Sequence, residues 1–208
     1  MRPAIVSLAV LLLCFVYAAV RYVGFGGVLP DQLPVYVANK ALSWAGVVMI
    51  TLAVGARPLS AWLPGAGALR EDRRSLGMVG LAFCAVHTVM SLMLLSPAYY
   101  AKFYVETGRM TTAGEVSMLA GACSLALLVW QSRIAPPTEP GQPNHAAKHR
   151  RALGTAVLAL ALLHVGFMGW PGWFTPAKWH GGMPPITLLS AAVAALGVAL
   201  GLMPRRNA

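Results

Sequence analysis

Apolar residues run in six long blocks along the chain, at about 3–20, 35–56, 75–96, 113–131, 152–169 and 185–203, with polar and turn-forming residues collected between them. A helical block of that length crosses a hydrocarbon core about 30 Å thick, and only a helix satisfies its own backbone N–H and C=O groups where no water can. The pattern predicts an all-α, polytopic membrane protein: a six-transmembrane-helix bundle forming a single transmembrane domain over residues 1–208. Turn formers punctuate it: Gly26-Gly27 and Pro30 after the first block, Pro58 and Pro64 after the second, Pro97 after the third. Pro136, Pro137, Pro140 and Pro143 interrupt the link between the fourth and fifth blocks. Proline lacks an amide donor, so that link is not one continuous helix.

Composition agrees, with 58% hydrophobic and only 11% charged residues at a mean hydropathy of +0.66. Soluble domains carry about 25% charged residues. Six spans also leave no hydrophilic stretch long enough to fold as a nucleotide- or flavin-binding module. The net charge of +10 raises the question of nucleic acid, and the placement of the cations answers it. Arg2, Arg57, Arg70, Arg73, Arg74, Arg133, Lys148, Arg150, Arg151, Arg205 and Arg206 fall on one side of the predicted bundle; Arg21, Lys40, Lys102, Arg109 and Lys178 fall on the other. Short loops rich in Lys and Arg stay cytoplasmic, so both termini are expected inside and no nucleic-acid partner is expected. Arg2 ahead of an apolar run also fits a signal sequence, but the run exceeds the usual core and no A-x-A site follows. Cys14, Cys84 and Cys123 all fall within spans, an odd set of thiols expected to be buried packing residues rather than a disulfide framework. Gly77, Gly80, Gly114 and Gly121 either let helix backbones approach closely or make room for a flat cofactor.

One stretch repeats. Residues 73–87 read RRSLGMVGLAFCAVH and residues 150–164 read RRALGTAVLALALLH, identical at seven of fifteen positions without a gap. Matches of Leu and Ala are cheap in such a chain; the paired arginines, the glycine and the histidine are not. His87 follows Arg74 by 13 residues and His164 follows Arg151 by 13, so each imidazole lies roughly 20 Å above its arginine at 1.5 Å per residue. Both spans run in the same direction, and both histidines are expected at one depth in the outer half of the bilayer. Facing each other, they could hold a planar macrocycle by both axial positions. Histidine in a span also serves in packing, proton relay or substrate handling, and those alternatives stay open on the residues alone.

The arginine-led third span ending in His87, and the histidine late in the fifth, resemble the ferric-reductase-like transmembrane domain family. That family includes the membrane parts of NADPH oxidases and ferric reductases and the bacterial MsrQ-type (YedZ) haem subunits. The RRSLG opening is similar to the third span of the stand-alone bacterial members, and Thr51-Leu52-Ala53-Val54 with Pro58-Leu59 is similar to the end of their second span. The resemblance covers residues 35–169, the expected haem-binding core. It implies that His87 and His164 are the axial ligands of a b-type haem iron, and that electrons cross the membrane through the bundle. Many members carry a further inner histidine on the fifth span. Here His149 would hold a second haem only if the helix extends past Arg150. Arg74 and Arg151 would anchor the spans at the interface or pair with haem propionates or a flavin phosphate.

A haem with two imidazole ligands has no open position for dioxygen and exchanges single electrons. The resemblance therefore implies a cytochrome b-type electron-transfer subunit of an oxidoreductase system, with no catalytic residues or module of its own. It would sit, multi-pass, in a bacterial inner (plasma) membrane. Electrons would come from a quinol or a separate flavoprotein, with FMN or quinone as candidate further cofactors, and would leave to an outer-side redox acceptor protein. The rival expectation is a haem-free small transporter or assembly factor using the histidines for protons or substrate. Among remaining features, Trp170, Trp173, Phe174, Trp179 and His180 read as an interfacial aromatic belt. His145 and His149, four apart, read as a solvated basic patch, and Lys40 and Glu115 as residues near outer span ends.

Overall fold

The computed structural model describes residues 2–63, 65–134 and 145–204; the side chains of residues 145–148 lie outside that description, as does the four-proline link. The chain is 82% helical, with no strands among the described residues. Six helices are long and apolar enough to cross a membrane, spanning Arg2–Gly24, Pro30–Trp62, Arg73–Met93, Thr112–Arg133, His149–Trp173 and His180–Leu202. The chain is thus a multi-pass membrane protein by architecture. The regular α-helices are α1 (Arg2–Ala19), α2 (Ala38–Trp62), the short α3 (Gly67–Glu71), α4 (Arg73–Met93), α5 (Thr112–Arg133), α6 (His145–Trp173) and α7 (Ile186–Leu202).

Two boundaries differ from the sequence expectation. Pro58 lies inside α2, which continues to Trp62, and Pro171 lies inside α6, which reaches Trp173. A proline removes one i→i−4 bond, and close to a helix end the remaining ladder closes around the gap; Leu63 N–H still bonds the Leu59 carbonyl. The first two spans are also lengthened by π-helical turns at Val20–Gly24 and Leu33–Val37. The start of α5 is fixed by Thr111, whose hydroxyl accepts from Gly114 N–H at 3.0 Å, an N-cap.

The bundle is organised around α2, which packs on α1, α4 and α7 and touches α6, while α5 packs on α6 and α6 on α7. Its core joins Val47, Ile50 and Val54 of α2 to Leu128, Val157, Leu158 and Ala194. A second cluster joins Cys14 and Ala18 of α1 to Val37, Ala41, Ala45 and Ile186. Small residues set the helix separations. A Cβ on Gly80 would come within 2.8 Å of Ile50 Cγ1 and 3.3 Å of the Gly46 carbonyl, and one on Gly197 within 2.5 Å of Leu158 Cδ1. Backbones this close gain dispersion contacts that bilayer packing depends on. The outward faces are apolar: Leu8, Leu12 and Leu13 of α1, Val89 and Leu92 of α4 and Leu119 of α5 are exposed. Cys123, expected to be buried, is exposed on α5, whereas Cys14 is buried and Cys84 half-buried against Gly46. Arg73 and Arg74 begin α4, and Arg150 and Arg151 lie in the second turn of α6, at the end of the bundle where α2, α5 and α7 finish. That end is called the basic end below.

Candidate functional site

His87 lies on α4, two turns before that helix ends, and its Nδ1 is 2.6 Å from Oδ1 of Asn39. Asn39 is fully buried on α2, and its amide nitrogen donates to Ser91 Oγ and to Tyr100 Oη, both at 3.0 Å. These two donor bonds orient the amide so that its oxygen faces the imidazole. Nδ1 therefore carries the proton and donates it, and Nε2 keeps its lone pair. Tyr100 sits in the loop beyond α4, where burial pushes its hydroxyl above the ordinary phenol range while bonds to Ser91 and Asn39 pull it back. It stays a protonated, neutral partner near pH 7.

His164 on α6 is held the same way by different means. Its Nδ1 donates to the backbone carbonyl of Ser117 on α5 at 2.7 Å, and Ser117 Oγ donates back to the His164 carbonyl at 2.7 Å. Ser117 is fully buried. The ring lies directly on Gly121: a Cβ there would be 2.9 Å from Nδ1 and 3.1 Å from Cε1. Gly121 is a surface for the imidazole, the close-approach role expected of that glycine. Neither Nε2 has a hydrogen-bond partner among the described residues, and both rings are half-buried rather than sealed.

The duplicated stretch explains how the two rings come level. A Cβ at Gly77 would lie 3.7 Å from Ala53 Cβ, and one at Gly154 would lie 2.8 Å from Val54 Cγ2. The two echoed helices thus touch adjacent residues of α2, at heights about 1.5 Å apart and in directions about 100° apart around its axis. From each glycine to its histidine is ten residues, about 15 Å of rise. Equal spacing from a common reference gives equal height. His164 and Lys40 both lie within electrostatic reach of His87.

Lys40 follows Asn39 on α2. Its ammonium sits 5.1 Å from the centre of the Tyr36 ring and 4.7 Å from that of Tyr100. Lys40, which the sequence placed only near an outer span end, is enclosed by two aromatic faces.

At the basic end a cavity of about 280 Å³ opens between α2, α4 and α5, floored by Ile50, Val54, Leu81 and Leu128 and rimmed by Arg70, Arg73, Arg74 and Arg150. Arg73 Nε donates to the Ala53 carbonyl at 3.0 Å, and Gln131 Nε2 to the Arg150 carbonyl at 2.7 Å. The echoed pairs are used differently: Arg74 faces this cavity, whereas Arg151 donates to the carbonyls of Leu200 and Met203 at the end of α7. Arg151 there satisfies carbonyls that a helix terminus leaves unpaired. α6 does extend past Arg150, but His149 is exposed on it. His145 begins the helix, with its side chain outside the described residues. Among the described residues no group of three or more His, Cys, Asp or Glu side chains is placed to hold a metal ion.

Beyond the sequence expectation lie Asn39, Ser117, Ser91 and Tyr100. The only prior sign of the first two is a small polar residue at histidine depth in an otherwise apolar span. Arg21, counted there only as an outer charge, is buried and donates to the carbonyls of His180 and Met183, tying α1 to the segment before α7. At the same end Trp173 Nε1 donates to Thr187 Oγ1 at 3.0 Å and Trp179 Nε1 to the Gly172 carbonyl at 2.9 Å, while Trp170 and Phe174 are exposed in an edge contact with centroids 4.7 Å apart. His180 is exposed and tilted against Tyr22. Compared with protein-family models and with curated proteins, the chain matches none.

Proposed function

We propose that this chain is a membrane cytochrome in which His87 and His164 hold one b-type haem. It would relay single electrons from a quinol or separate flavoprotein at the basic, cytoplasmic end to an acceptor protein on the outer side of a bacterial inner membrane. The observation that carries the reading is the shared state of the two imidazoles: each donates Nδ1–H to an amide oxygen of a neighbouring helix and leaves Nε2 without a partner among the described residues. Metal-ligating histidines are typically oriented in this way, with the far nitrogen's bond fixing tautomer and ring plane.

The residues fit the group on three further counts. The porphyrin supplies four ligands of its own, so two histidines at one height suffice and no larger cluster is required. Gly121 leaves the His164 ring lying flat on bare backbone, where any side chain would displace it. α4 packs chiefly on α2, and α6 chiefly on α5 and α7, so the histidine faces are not closed against one another by direct helix packing. Haem, when bound by two imidazoles, supplies reversible one-electron exchange. Asn39 and Ser117 hold the Nδ1 protons in place. His149, exposed on α6, offers no enclosed ligand for a second haem, and the reading is of one.

Absorption spectroscopy of the purified protein tests it. A Soret band that sharpens on dithionite reduction, one haem per chain, and loss of the band in both His87→Ala and His164→Ala are the expected results. A wild-type protein that takes up no haem when haem is supplied would favour the rival, a haem-free carrier in which the same histidines handle protons or substrate.

A further inference from the structure

Among the described residues, the cation at the histidine level has no anion. Lys40 is enclosed at the top of α2, its ammonium between the faces of Tyr36 and Tyr100. No carboxylate pairs with it among the described residues; Asp31, Glu106 and Glu115, the acidic residues at this end, are all exposed. Two ring faces replace only part of an ammonium's hydration, and an enclosed charge is favourable only when paired. Its position is also fixed. Asn39, one residue earlier, is clamped by His87, Ser91 and Tyr100, and Tyr100 is itself one wall of the cage. Lys40 lies within electrostatic reach of both His87 and His164.

We propose that Lys40 is the counter-cation for a carboxylate borne by the group that His87 and His164 hold, which in the haem reading is one of its propionates. The inference rests on that reading. The same α2 turn would then serve both parts of the ligand: Asn39 sets the imidazole that meets the iron, and Lys40 sets the edge of the macrocycle that carries charge, fixing its rotation about the axis between the two histidines. Arg74, at the opposite end of α4 from this level, is too far along the helix to share that task.

Reconstitution of the full chain with protohaem and with its dimethyl ester, which lacks the two negative charges, tests the proposal. Wild-type protein is expected to hold protohaem about tenfold more tightly than the ester, the weight of one charge-assisted bond. Lys40→Met should bring that ratio close to one, and Lys40→Arg should restore most of it. A wild-type protein that binds both forms equally, or a Lys40→Met protein that keeps the full discrimination, would overturn the role of Lys40 while leaving the histidine assignment intact. Failure of both forms to give a low-spin bis-imidazole spectrum in wild-type protein would overturn the haem reading and this inference with it. The wild-type comparison needs no variant to fold.

Discussion

Replacing Asn39 with leucine deletes the oxygen that receives the His87 proton, and the cost can be worked from its bonds. The 2.6 Å bond from Nδ1 disappears, and Ser91 Oγ and Tyr100 Oη each lose a donor at 3.0 Å. What remains for Nδ1 is the Asn39 backbone carbonyl at 3.3 Å and Ser91 Oγ at 3.4 Å, both longer than a well-formed bond. Outer-shell partners of ligating histidines are worth about 10–100-fold in metal affinity, or roughly 1.4–2.8 kcal/mol at 1.4 kcal/mol per decade. That matches the penalty of about 1–3 kcal/mol for a buried donor left unsatisfied. The residual carbonyl places the expected loss nearer tenfold. Ser117→Ala is the matched control, because His164 donates to the Ser117 backbone carbonyl, which alanine keeps. The 2.7 Å bond from Ser117 Oγ to the His164 carbonyl is lost, with the 3.2 Å contact of that hydroxyl to Nδ1, about 1 kcal/mol of stability, while the 2.7 Å bond that holds the Nδ1 proton stays. Transfer of haem to apomyoglobin, followed at the Soret band, measures both. Equal retention by Asn39→Leu and wild type, or an equal loss in Ser117→Ala, would refute the assignment of the two clasps.

Three further substitution or fusion experiments follow from the geometry. Gly121→Ala places a methyl 2.9 Å from His164 Nδ1, so haem content should fall sharply; Gly166→Ala, on the same helix as the histidine with nothing within 4 Å, should keep full haem and gain roughly 0.5–1 kcal/mol in helix stability, both read by spectrum and thermal unfolding in detergent. Gly80→Ala meets Ile50 N at 3.2 Å and the Gly46 carbonyl at 3.3 Å, backbone atoms that cannot yield, whereas Gly46→Ala meets chiefly the Cys84 side chain at 2.7 Å; overpacking should cost about 1–3 kcal/mol at Gly80 and less at Gly46, as midpoint shifts in denaturant will report. Green fluorescent protein fused after residue 208 should fluoresce and alkaline phosphatase at the same point should be inactive if the basic end is cytoplasmic; the reverse pattern would invert the assigned direction of electron flow.

The six spans were legible because one strong term, the transfer of apolar side chains and self-paired backbone into lipid, dominates every block. Their ends were less so. Pro58 reads as a break in a one-dimensional scan, and Pro171 lies just past the expected end of the fifth block, yet each falls in the closing turns of a helix, where the missing N–H disrupts little. The histidines were legible because the RR…LG…H pattern recurs without a gap. Their clasps were not: Asn39 and Ser117 sit on helices that carry no part of the repeat, and nothing along the chain links residue 39 to 87 or 117 to 164. Lys40 shows the same limit. As a residue type it reads as an interfacial cation; only the fold brings Tyr100, sixty residues on, over its ammonium. Arg151 shows the converse, since a repeat that makes Arg74 and Arg151 equivalent in sequence does not make them so in space. α6 has α7 beside it and α4 does not, so Arg151 finds the open carbonyls of Leu200 and Met203 while Arg74 faces the cavity.

That unequal use of an equal repeat bears on how the site is built. If the two stretches had been kept alike for membrane anchoring alone, the arginines would be the constant element in space and the histidines free to drift. The opposite arrangement holds. The arginines diverge in their partners, while the glycines meet neighbouring residues of α2 and the histidines, ten residues further on, end in the same hydrogen-bonded state by unrelated routes, one through a side-chain amide and one through a backbone carbonyl. Packing alone would not require Nδ1 to be bonded in both rings while Nε2 finds no partner among the described residues, since an imidazole in apolar surroundings is better satisfied by pairing at both nitrogens. Under the proposed haem reading, that shared bonded state of the two Nδ1 atoms is what leaves the other nitrogen of each ring available to the iron.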